Sequence, residues 1–265
     1  MQYYKRREFI QKSAIALSAV GLAGLSAACG SKEKRVFKYA LCNESLQEFS
    51  WPEQCEIIGA AGYDGVEIAS FTLVKESVEE LTAAKRKQMV QDMKNAGIEC
   101  AGLHWLLTPP PHGLHFTTPD QQIRQKTVTY LGQLIDFCGD MGGKIMVFGS
   151  PPQRSTSQGI SIEEATDYFA DGLAKVADHA AERGVTILIE PLPKTSTDVV
   201  NTLEDAVKVI RKLNHPAISS MFDFHNTLDE TEPFVNLIEK YYDHIQHIHV
   251  HFLIFHQLIE YYLIL

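Results

Sequence analysis

Seven short apolar segments recur along residues 37–251, each separated from the next by a longer stretch with helical patterning, and this alternation constrains the fold more than any other feature. The segments are FKYALC (37–42), GVEIAS (65–70), IECAGLHW (98–105), KIMVFGS (144–150), VTILIEPL (185–192), ISSMFDF (218–224) and IQHIHVH (245–251). Between them lie stretches such as VEELTAAKRKQMVQDMKNAG and SIEEATDYFADGLAKVADHAAERG, several of which close on Gly or Asn, as helix C-termini do. A strand and a helix in each unit of roughly 35 residues point to an α/β fold with a parallel sheet, and at this length the closed (β/α)8 TIM barrel is the commonest solution. An open doubly wound sheet is the alternative, but it would want a glycine-rich phosphate loop after the first strand, and YALCNESLQEFSW has none. One barrel domain is therefore expected over residues 31–265, with about seven β/α units present.

Residues 1–30 stand outside that pattern. KRREFIQK carries the twin-arginine arrangement, with Arg6 and Arg7 followed by Phe9, Ile10 and Lys12, and SAIALSAVGLAGLSAA is an apolar run of small residues. That run is short of the ~20 strongly apolar residues a membrane span needs. The expectation is a signal peptide read by the twin-arginine translocase, which carries proteins across already folded. In LSAACG, Cys29 is a candidate lipidation site, although Ser26 stands where a lipobox has an aliphatic residue, and cleavage after Ala28 fits nearly as well. The mature protein is expected in the periplasm or anchored to the membrane through lipid on Cys29.

The five cysteines, at 29, 42, 55, 100 and 138, include no CxxC pair, so buried free thiols are expected rather than a disulfide framework. Residues 1–30 hold Lys5, Arg6, Arg7 and Lys12 against Glu8, so removing them takes the formal charge from −9 to −12. A surface that acidic repels phosphate backbones, and no basic run offsets it, so nucleic acid is not an expected partner.

In a parallel barrel, chemistry gathers at the C-terminal ends of the strands. The polar residues of this chain gather there too: Glu67, His104, Arg154 just past the fourth strand, Glu190, Asp223 with His225, and His247 with His249. Glu190 follows four apolar residues, a poor place for a carboxylate unless it is ligated or hydrogen-bonded. Asp223 and His225 sit two apart in MFDFHN, which on a strand would put them on one face, where they could hold a metal; alternatively Asp223 caps the segment after it and His225 is a core histidine.

The motifs LIEPL, MFDFHN and HIHV, with GYDGVEIA before them, resemble the sugar phosphate isomerase/epimerase superfamily of xylose isomerase-like TIM barrels over about residues 36–250. That superfamily also contains ketose 3-epimerases, inosose dehydratases and endonuclease IV. The resemblance implies a divalent ion held by Glu190, Asp223 and His249, with Mn²⁺, Mg²⁺ or Co²⁺ suited to the donors and Zn²⁺ a further candidate. It implies Glu190 as the group that removes the proton next to a sugar carbonyl, giving an enediolate. His104, Arg154, His225 and Glu67 are then expected to bind the sugar or a phosphate on it. The expected partners are a small sugar, the translocase during export and a second copy of the chain.

The departures from the family pattern carry their own expectations. HFLIFHQLIEYYLIL does not resemble the loop that follows H-x-H in relatives, so the eighth unit, its metal-binding glutamate and the second catalytic glutamate are expected to be missing. Such a chain would expose the edges of its first and seventh strands, although the apolar tail could partly cover the gap; it would bind metal weakly and turn over little substrate. Ser196 and Asn226 stand where ketohexose 3-epimerases carry a glutamate and a histidine. Sugar isomerase or epimerase is the leading function; an endonuclease IV-like nuclease and a non-catalytic sugar-binding lipoprotein are the alternatives.

Overall fold

A computed structural model of the chain describes residues 37–157, 159–254 and 257–264, with side chains through residue 250. The signal-like segment, including Arg6, Arg7 and Cys29, lies outside the described residues. Strand and helix alternate as β1 (Lys38–Cys42), α1 (Trp51–Ala60), β2 (Gly65–Ala69), α2 (Ala83–Asn95), β3 (Glu99–His104), α3 (Gln121–Met141), β4 (Ile145–Phe148), α4 (Ile162–Glu182), β5 (Thr186–Ile189), α5 (Leu203–Leu213), β6 (Ile218–Asp223), α6 (Phe234–Tyr241) and β7 (Ile245–Ile254). A single helical turn, Pro151–Arg154, follows β4.

Local chemistry sets the helix boundaries. Ser50 and Glu53 form a capping box at the start of α1, Thr202 and Asp205 form another at the start of α5, and Asp120 accepts from Gln122 N and Ile123 N at the start of α3. Gly142 ends α3 and Asn214 ends α5, both in the left-handed region that stops a helix. These caps satisfy backbone groups that the helix cannot satisfy itself.

Strands β1 to β7 pair in chain order, each parallel to the next. β2, β4 and β6 are buried on both faces along their whole length, as expected where helices cover one side and a filled interior the other. Leu41, Val66, Ile68, Met146, Phe148, Ile187 and Ile189 belong to the main core between barrel and helices. The residues that alternate with them line the interior in two smaller clusters. Ile145, Val147, Leu188 and Met221 fill one side, and the much smaller Ala40, Cys42, Ala69 and Ala101 lie on the other. The small side leaves room for polar groups.

The eighth position departs from expectation. Among the described residues no eighth β/α unit of the usual kind forms; instead β8 (Gln257–Ile264) runs antiparallel to both β7 and β1 and closes the barrel. The short connection after β7 permits only antiparallel pairing, and a run rich in Leu, Ile and Tyr has the composition of a strand. The edges of β1 and β7 are therefore paired rather than exposed. The described cysteines, Cys42, Cys55, Cys100 and Cys138, are buried and no disulfide joins any two of them, as the spacing predicts.

Candidate metal centre and proton-transfer site

The polar residues gather where the strands deliver them. Glu67 lies within β2, His104 and Asp223 are the last residues of β3 and β6, Glu190 directly follows β5, and His247 and His249 share one face of β7. Asp223 is the register partner of His249, which fixes those two side by side. All six are buried.

At the mouth, Asn226 Nδ2 donates to Glu190 Oε1 at 3.1 Å and to Asp223 Oδ2 at 2.8 Å, tying the two carboxylates together. Asp223 Oδ2 also lies 3.8 Å from His249 Nδ1. The other Asp223 oxygen, Oδ1, accepts from His225 N at 2.6 Å and Asn226 N at 3.3 Å. The capping role read for Asp223 is thus present in the turn after β6, while its other oxygen faces Asn226 and His249. Glu190 has little freedom on its far side, because a Cβ at Gly149 would stand 2.2 Å from Glu190 Oε2. Donor atoms of His104, Glu190 and His249 lie within 4.8 Å of one another. His104 stacks on Trp105, with ring centroids 5.2 Å apart, and its ring lies 4.8 Å from that of His249.

Beneath this layer Glu67 is fully buried among histidines. Its Oε1 is 3.5 Å from His247 Nε2, and its Oε2 is 3.4 Å from His249 Nε2 and 3.8 Å from His104 Nδ1. The small residues of β1 and β2 and Gly102 of β3, which pairs with Glu67, make this floor possible.

The electrostatics follow from burial and crowding. Burial first, and the Asp223 carboxylate second, push Glu190 up to about 8. For His249 burial works against the charge, but the carboxylates of Glu67, Asp223 and Glu190 outweigh it and push the imidazole up to about 10. Burial takes His104 down to about 3 and lowers His247 as well. Burial would raise Glu67, yet His249 and His247 hold it well below the usual carboxylate range. Glu67, Asp223 and Glu190 thus surround the His249 ring, and at the mouth Glu190 and Asp223 face each other across the Asn226 amide. A donor set of that kind fits a divalent cation.

The structure corrects two expected sugar contacts. Arg154 is fully buried, and its Nη1 donates to Phe148 O at 3.0 Å and Glu190 O at 2.8 Å. It clamps the ends of β4 and β5, and its guanidinium lies 5.7 Å from the Phe169 ring of α4, in the core between barrel and helices. Glu67 is sealed below the mouth by the histidines and cannot reach a sugar. The shared strand face expected for Asp223 and His225 does not form either, since β6 ends at Asp223 and His225 is exposed on the turn. Two residues escape the sequence reading. Asn226 is a departure from the family pattern, yet it bridges the two carboxylates; the signal was the D-x-x-N spacing, which an Asx turn folds back on itself. For Gly149 the signal is its place near the end of KIMVFGS, where the next strand's carboxylate comes close.

The sequence profile described as the xylose isomerase-like TIM barrel matches residues 55–253, and the chain belongs to that family. A ketose 3-epimerase from Arthrobacter globiformis is 24% identical over 122 residues, which cover 45% of this chain and 39% of that protein. A probable ketose 3-epimerase from Synechocystis is 23% identical over 199 residues, covering 71% of this chain and 62% of the relative. The chain thus spans less than two thirds of the length of the curated relatives it matches. A crystal structure of D-psicose 3-epimerase with D-tagatose, from Clostridium cellulolyticum H10, shares the fold with a TM-score of 0.67 at 16% identity, covering 79% of this chain and 71% of that one.

Proposed function

We propose that the chain is a divalent-metal-dependent carbohydrate isomerase or epimerase that works by moving a proton on the carbon next to a carbonyl. The observation that carries this reading is the convergence of Glu190, Asp223 and His249 at the barrel mouth, with Glu190 buried and its proton affinity raised. Family membership and likeness to ketose 3-epimerases support the substrate class.

Glu190, Asp223 and His249 would hold the ion, and Mn²⁺, Co²⁺ and Mg²⁺ suit a set of two carboxylates and one imidazole. A bound divalent ion supplies positive charge that stabilises the oxyanion developing at the carbonyl. Glu190 takes the proton from the neighbouring carbon. Its burial keeps it a strong enough base near neutral pH, and Asn226 and Gly149 fix the direction of its oxygens. His104, beside it, and His225, on the rim, are the groups offered to sugar hydroxyls. The acidic chain and the absence of a basic run count against the nuclease alternative.

The test is turnover of a panel of ketoses and 3-keto sugars with Mn²⁺ or Co²⁺, comparing the native protein with Glu190→Gln. Native turnover that disappears in a variant still able to bind sugar supports an enzyme. Sugar binding without turnover in either form would mean a binding protein. Export by the twin-arginine route is part of the proposal: Arg6→Lys with Arg7→Lys should leave the precursor in the cytoplasm, and normal export of that variant would rule the route out. Palmitate labelling lost in Cys29→Ala would establish the lipid anchor.

A further inference from the structure

The two nitrogens of His249 have different neighbours. Nε2 lies 3.4 Å from Glu67 Oε2 on the floor, and Nδ1 lies 3.8 Å from Asp223 Oδ2 at the mouth. A neutral imidazole can offer only one nitrogen to a metal, and the hydrogen bond made by the other decides which. Glu67 is placed for that task. It is fully buried, it comes from β2 on the far side of β1 and β8 from His249, and its second oxygen lies 3.5 Å from His247 Nε2.

The floor itself presents a competing ligand set, since donor atoms of Glu67, His247 and His249 lie within 4.8 Å of one another. An ion there would take His249 through Nε2. The balance of charge decides between the two places. On the floor one carboxylate already has two imidazoles beside it. At the mouth two carboxylates, Glu190 and Asp223, share the neutral amide of Asn226 and the rings of His249 and His104, and burial holds the His104 ring uncharged. The unmet demand for positive charge is at the mouth.

We infer that Glu67 is a positioning residue: it holds the proton on His249 Nε2, turns Nδ1 toward Asp223 and Glu190, and so sets the divalent ion at the mouth rather than on the floor. The inference rests on the proposed ion site but concerns the residue behind it. Carboxylates placed behind a ligating histidine typically strengthen metal binding about 10- to 100-fold.

The test combines calorimetric titration with Zn²⁺ and long-range ¹⁵N–¹H spectra of ¹⁵N-histidine-labelled protein, with His249 assigned by His249→Gln. In the metal-free native protein, at a pH high enough for His249 to keep a single proton, Nε2 should carry it, and Zn²⁺ should shift Nδ1 while that proton stays. Glu67→Ala should weaken Zn²⁺ binding about 10- to 100-fold and move proton density from Nε2 to Nδ1. Glu67→Gln keeps an acceptor and guards against misfolding; it should fall between the two. An unprotonated Nε2 in the native metal-free protein, Zn²⁺ on Nε2, or unchanged affinity and spectra in both variants would overturn the inference. Failure of the native protein to bind any divalent ion would sink the proposed ion site instead, and the metal-free Nε2 signal would still decide the role of Glu67.

Discussion

At Gly149 a methyl group would stand 2.2 Å from Glu190 Oε2, so the smallest substitution at the site is also a sharp one. Gly149→Ala should leave the fold intact but turn the Glu190 carboxylate aside, weakening Mn²⁺ binding by about tenfold or more, as loss of a supporting contact commonly does. Calorimetry measures it, and native affinity in that variant would mean the carboxylate tolerates movement. Titration gives a second prediction. Glu190, pushed up to about 8, and His249, pushed up to about 10, bind protons more tightly folded than unfolded, so their contribution is lost as pH rises through those values. His104, taken down to about 3, and Glu67, held low, act in the opposite sense and lose stability as pH falls. The metal-free protein should therefore melt highest near pH ~6 and less and less well toward pH ~9. Mn²⁺ should raise the melting temperature most at the alkaline end, because binding displaces the protons on Glu190 and His249 Nδ1. Scanning fluorimetry across that range checks it; a metal-free melting temperature that climbs from pH ~6 to ~9 would contradict it.

At the scale of elements, the Arg154 guanidinium joins the ends of β4 and β5 through two carbonyls, one of them that of Glu190. Arg154→Ala removes both hydrogen bonds from a fully buried position and should cost about 3 kcal/mol in urea denaturation, the scale of lost bonds from a charged donor plus lost packing. A loss under about 1 kcal/mol would mean that the strand ends hold each other without it. Strand β8 makes a separate prediction. Ending the chain after Val250 uncovers the edges of β1 and β7, and such protein should aggregate on size-exclusion chromatography where the 265-residue chain does not. The seven parallel strands were legible because their apolar runs have the length of strands and the stretches between them carry helix stop signals. β8 was not, because family comparison sets the expectation of a parallel eighth unit, whereas local strand propensity and a short connection decide what the chain does.

For the whole molecule, the order of the motifs along the chain placed Glu190, Asp223 and His249 at one end of a barrel, and closure of the barrel brings them within reach of each other. Depth was not legible. Sequence spacing cannot say that Glu67 sits a layer below the mouth or that Arg154 turns into the core, because both depend on small neighbours and on a turn whose direction is set by tertiary contacts. The central claim is that Glu190, beside a divalent ion, removes a proton from the carbon next to a sugar carbonyl. Exchange of that proton with solvent needs one base only, so it reads the first half of the reaction whatever the second half requires. The direct measurement is deuterium wash-in from D₂O into a ketohexose, followed by proton NMR with Mn²⁺ removed before acquisition. Deuterium should enter next to the carbonyl with the native protein plus Mn²⁺ and not with Glu190→Gln; no exchange across a panel of ketoses, or equal exchange by the variant, would contradict the account.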